Sequence, residues 1–84
     1  MDRVALHSSL LASAGHDSRR HLLDVEFRTG ELYRFFNVPS ACYRELLQAD
    51  SKGRYFNANI RNLFPYQRLS HRASPVVLSL PKTK

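Results

Sequence analysis

No acidic residue occurs after Asp50. All seven Asp and Glu lie in residues 1–50 beside six Lys and Arg, a balance of −1, whereas residues 51–84 carry seven Lys and Arg, a balance of +7. Cysteine is almost missing as well. Cys42 is the one thiol, which excludes an internal disulfide and a CxxC pair and fits a reducing compartment. The three glycines stand apart at 15, 30 and 53, so there is no glycine-rich phosphate loop. Long apolar runs are lacking: Leu10 to Ala12 is too short for a signal-peptide core, and nothing approaches the ~18 residues of a membrane span. These absences predict a soluble, cytoplasmic protein with no membrane partner.

Catalytic signatures are also scarce. His7, His16, His21 and His71 lack metal-ligand spacing, so neither a metal nor a cofactor is expected. His16-Asp17 followed by His21 imitates an acid–base set, but no nucleophile elbow accompanies it. Asp24 and Glu26 alternate on the polar side of a strand and do not pair in a cleft. An enzyme is therefore not expected.

What is present suffices for one small α+β domain. The chain has 84 residues, 43% hydrophobic and 11% aromatic, enough for a modest core and too apolar for wholesale disorder. Short strands are expected in "RVALHSS" and "LLASAGHD", and a polar turn in "DSRR". A hairpin follows. In "RHLLDVEFR", Leu23, Val25 and Phe27 alternate with Asp24, Glu26 and Arg28; in "ELYRFFNV", Tyr33 and Phe35 alternate with Leu32, Arg34 and Phe36. A two-residue turn would set Val25 opposite Arg34 and point a cation at the core. A three-residue loop, Arg28-Thr29-Gly30 with a left-handed Gly30, sets Val25 opposite Tyr33, Leu23 opposite Phe35, and Asp24 opposite Arg34 on the other face. The second register sorts every charge outward and is the one expected.

The period then changes. Pro39 suits a helix start, and Cys42, Leu46 and Ala49 recur at helical spacing with Tyr43 and Leu47 beside them. Ser51 suits the N-cap of a second helix ended by Pro65. With Phe56 inward, Ile60 and Leu63 fall within about 40° of it, and Arg54, Asn57, Ala58 and Arg61 fall opposite. The expected fold is thus an antiparallel sheet of three to four strands followed by two short helices packed on one face. Residues 1–69 form the domain. Residues 70–84 read as a basic, flexible tail whose apolar run Val76 to Leu80 offers an added edge strand or a docking segment.

The order "SSLLASAGHD", "LLDVEFRTGELYRFFNVP" and "CYRELLQADSKGRYFNANIRNLFPYQRL" resembles the KTSC domain, a short bacterial and phage domain also found at the C-terminus of some lysyl-tRNA synthetases. The resemblance covers roughly Val4 to Leu69. The family's aromatic-x-aromatic motif is Tyr33-Arg34-Phe35 here, with Phe35 in place of a second tyrosine. Its Ser-Lys-Gly-x-aromatic-Phe-Asn segment is Ser51 to Asn57, and His16 stands where a tyrosine is common. The resemblance implies a small α+β domain and an RNA-binding role.

Two function classes follow. In the first, RNA or another polyanion lies on the basic second helix, held by Lys52, Arg54, Asn57, Arg61 and Arg68, with Gly53 allowing close approach to free N–H groups at the helix start. Tyr55 and Phe36 are candidates for base stacking or an interface, whereas Tyr33 and Phe35 are expected in the core. In the second class, the chain is a protein–protein or homodimerisation module using the sheet face with Leu32 and Phe36, or the tail.

Overall fold

The computed structural model describes residues 2–71, with the backbone alone at Ser70 and His71. The segment with Val76 to Leu80 lies outside the described residues. Five strands form one antiparallel sheet in chain order: β1 (Val4–Ala5), β2 (Leu11–Asp17), β3 (Leu22–Phe27), β4 (Glu31–Phe35) and β5 (Tyr66–His71). Helices α1 (Ser40–Gln48) and α2 (Lys52–Asn59) fill the connection between β4 and β5. The chain leaves and rejoins the sheet at one place, since the Phe36 N–H donates to the Pro65 carbonyl at 2.9 Å. The molecule is therefore a β-meander whose last hairpin carries a helical insertion. No helix among the described residues is long and apolar enough to cross a membrane.

The β3–β4 hairpin has the expected register: Val25 faces Tyr33, Leu23 faces Phe35 and Asp24 faces Arg34. Gly30 has φ 101° and its N–H donates to the Phe27 carbonyl at 2.9 Å, closing the loop with the left-handed residue that a bulge needs. The preceding turn is held by the Asp17 carboxylate, which accepts the Arg19 and Arg20 N–H groups at 3.0 and 3.3 Å.

The helices bury one sheet face. Leu6, Leu11, Ala14, Leu23, Val25, Phe35, Val38, Leu46, Phe56 and Ile60 form the core. The Phe56 ring meets Phe27 and Phe35 edge-on, each with centroids 5.5 Å apart, the arrangement favoured by opposed ring quadrupoles. On α1, Tyr43 stacks on His16 at 5.5 Å and donates to the Ala14 carbonyl at 3.3 Å. His16 in turn donates Nε2–H to the Val38 carbonyl at 2.7 Å, because that carbonyl can only accept. His16 therefore pins the chain where it leaves the sheet, while His21 sits exposed at a positive φ of 59°.

The structure differs in detail at three points. Tyr66–His71 adds β5 as a fifth strand beyond the three to four expected, and Ser70 and His71 lie in it. A solvent-facing β4 edge, unpaired in a four-strand sheet, is completed by this segment. The first strand is two residues long, because the Ser8 hydroxyl accepts the Leu10 and Leu11 N–H groups at 3.1 and 3.2 Å and turns the chain early. Leu63 is 65% exposed instead of buried. The helix ends at Asn59, and Ile60, with φ −125°, breaks the 100° step on which the wheel position depended. Phe64 packs against the core instead.

Candidate nucleic-acid interface

α2 begins where its sequence demands. The Ser51 hydroxyl accepts the Arg54 N–H at 3.3 Å, the N-cap bond that satisfies one orphan donor. Phe56 and Ile60 then point inward and are fully buried; the helical phase carries Arg54, Asn57 and Ala58 to solvent, and Arg61, in the turn just past the helix end, is exposed as well. Arg61 Nη1 donates to Asn57 Oδ1 at 3.2 Å, one helical turn back, which joins these two side chains into one polar ridge.

The remaining candidates divide. Lys52 is half-buried and donates Nζ–H to the Ala49 carbonyl at 3.0 Å, so its ammonium first closes the end of α1. Two of its three N–H donors remain. Arg68 lies on β5 opposite Tyr33, 3.5 Å from the Glu31 carboxylate, and is separate from the α2 ridge. Tyr55 is half-buried. Its hydroxyl donates to Glu45 Oε1 at 2.6 Å and lies 3.7 Å from Cys42 Sγ, so Tyr55 ties α2 to α1. Desolvation, then Glu45 and Cys42, push its phenol well above the ordinary tyrosine range. Phe36 is half-buried just past β4.

Gly53 serves a different purpose from the one expected. A Cβ there would meet Leu10 Cβ at 3.2 Å, so its open side is taken by the loop before β2, not by a ligand. That loop is rigidly held. Arg28 reaches across to donate from Nη2 to the Leu6 carbonyl at 2.7 Å and from Nε to the Ser8 carbonyl at 2.9 Å. Ser9 and Leu10 become a wall with a cleft on each side.

The first cleft is a polar groove of about 570 Å³ bordered by Ser8, Asp50, Lys52, Arg54 and Asn57. The second, about 280 Å³, lies between the sheet and the end of α2. Its lining is aromatic, with Phe27, Tyr33, Phe35, Phe56 and Tyr66, and Arg61 reaches its edge. Ser9, Leu10 and Tyr66 escaped the sequence reading. The first two carry no charge or motif, and Tyr66 becomes part of a site only because β5 pairs with β4. Chemically, the surface offers guanidinium and amide donors on a ridge that leads from a polar groove to a cavity lined by ring faces.

A five-strand meander with a helical insertion and this segmented Ser51 to Asn57 helix start defines a small α+β domain class, and the matches to known proteins agree. The family model for the KTSC domain matches residues 7–64. The chain belongs to the KTSC domain family. It is 53% identical over 57 residues to a protein of Stutzerimonas stutzeri, covering 68% of this chain and 80% of that one. It is 37% identical over 62 residues to a lysine–tRNA ligase of Trichormus variabilis, covering 74% of this chain but only 11% of the ligase. The crystal structure of a KTSC domain protein from Yersinia pestis superimposes with a TM-score of 0.80 at 29% identity, covering 82% of this chain and 97% of that one.

Proposed function

We propose that this domain is a non-catalytic, cytoplasmic accessory module that binds nucleic acid, with RNA preferred, through the exposed side of α2. The observation that carries the reading is the ridge of Arg54, Asn57 and Arg61, all exposed on a segment with no acid from Ser51 to His71. Arginine forks match phosphate oxygens, and an asparagine amide serves sugar or base edges. The preference for RNA leans on kinship with a stretch of lysine–tRNA ligases, whose name states that they act on tRNA.

Fluorescence anisotropy with mixed-sequence single-stranded RNA tests the proposal. Affinity is expected to fall with salt at a log–log slope of about −0.7 per phosphate contact, near −2 to −3 for three or four contacts. Arg54→Glu with Arg61→Glu abolishes binding while leaving the circular-dichroism spectrum and melting temperature in place, because both side chains point to solvent. Absence of affinity at low salt, or affinity that survives the double reversal, hands the lead to a protein-binding role, which a sizing column then examines.

A further inference from the structure

The ridge of Arg54, Asn57 and Arg61 ends at a cavity whose chemistry does not suit a phosphate. Phe27 and Tyr33 stack at 5.3 Å and 23°, Tyr33 and Tyr66 meet at 5.5 Å, and Phe35 and Phe56 close the floor. A ring cluster of this kind normally fills itself. Here it stays open by about 280 Å³, and Tyr66 remains 57% exposed although it contacts both Tyr33 and Phe35. The volume falls just under the ~300–1,000 Å³ of sites for drug-sized ligands and suits one planar ring system.

The polar groups around the opening narrow the choice. Arg28 is committed to the Leu6 and Ser8 carbonyls, and Glu31 lies 3.5 Å from Arg68. Arg61 and Asn62 complete the rim beside Tyr66. Arg61 also belongs to the α2 ridge through Asn57, so the cation that would hold a backbone phosphate stands at the edge of the cavity. Ser9 and Leu10 border both this cavity and the polar groove, so the two lie on either side of one wall.

We infer that the aromatic cavity takes one unpaired base of a single-stranded nucleic acid, stacked on Tyr66 and Tyr33, while Arg61 holds the adjoining phosphate. Every base has a π-face, so the capture tolerates sequence, and duplex bases are shut out because their faces are already stacked. A base pocket presupposes the nucleic-acid reading above, but it concerns bases, not phosphates, and so fails separately.

The test compares a single-stranded RNA with the same strand carrying abasic sites, each titrated against the wild type, Tyr66→Ala, Tyr66→Phe and Arg54→Glu. Expected is roughly tenfold weaker binding of the abasic strand by the wild type. Tyr66→Ala should weaken binding of the intact strand by a similar factor, leave the abasic strand and the salt slope unchanged, and be rescued by Tyr66→Phe. A 2-aminopurine placed in the strand should be quenched by the wild type and not by Tyr66→Ala. Arg54→Glu should lower affinity for both strands and flatten the salt slope. Equal affinity of the wild type for intact and abasic strands, with Arg54→Glu still weakening both, overturns the base pocket and leaves the phosphate ridge standing. No affinity for either strand overturns both. A Tyr66→Ala change that instead alters elution volume assigns the cavity to a second copy of the chain and overturns the base pocket.

Discussion

Arg34 grips both oxygens of the Asp24 carboxylate across the β3–β4 pair, Nε to Oδ1 at 2.8 Å and Nη2 to Oδ2 at 3.0 Å. Asp24 is only 8% exposed, the one charged residue among the buried side chains described. The hydrogen bond to Asp24 also raises the Arg34 pKa, with the Asp24 charge adding to it against partial desolvation. Arg34→Ala leaves a nearly buried carboxylate without its fork and is expected to cost about 1.5–3 kcal/mol in urea unfolding. The Asp24→Ala, Arg34→Ala double variant should cost less than the sum of the two singles, and strict additivity would show that the pair is uncoupled.

Gly30 supports a second prediction. Its φ of 101° lies in a region that a β-branched side chain avoids. Gly30→Val is expected to destabilise the domain by about 1–3 kcal/mol, with Gly30→Asn milder. Thermal melts of the two variants check it. An unchanged melting temperature for the valine variant would mean that the loop rearranges freely and that the hairpin register does not depend on this residue.

Tyr55 makes the fold sensitive to alkali. Desolvation first, then the Glu45 and Cys42 contacts, raise its phenol above the ordinary value of 10.0. The folded state therefore holds this proton more tightly than the unfolded chain. The linked stability is fully present below the unfolded pKa and is lost as pH rises beyond it toward the folded value. Ultraviolet titration should show late-ionising phenol among the four tyrosines, with Tyr43 contributing through burial. Tyr55→Phe should remove part of the late phase and cost about 1 kcal/mol at neutral pH through the lost bond to Glu45. A titration curve unchanged by Tyr55→Phe would contradict the assignment.

The hairpin was legible because its information is local. Alternation of Leu23, Val25, Tyr33 and Phe35 with charged neighbours admits one charge-sorting register, and a single glycine at the required place fixes the loop. The α2 start was legible for the same reason: Ser51 lies three residues before Arg54, whose N–H it caps, and Phe56 and Ile60 are one turn apart. The exposure of Arg54 and Asn57 follows from that phase, whereas Arg61 is exposed in the turn just past the helix end.

What the tertiary structure alone decided rests on contacts between residues distant in sequence. β5 forms because the helical insertion returns Pro65 to Phe36, and only then does Tyr66 stand over Tyr33 and Phe35 and open an aromatic cavity. Arg28 looked like an exposed loop cation, yet it fastens the Leu6 and Ser8 carbonyls and builds the wall between the two clefts. Lys52 closes α1, Gly53 admits Leu10, and Leu63 turns outward when the helix stops at Asn59. Local periodicity encodes which face of an element is apolar. Which cations are already spent on carbonyls, and where rings leave a gap, depends on how those faces meet in space.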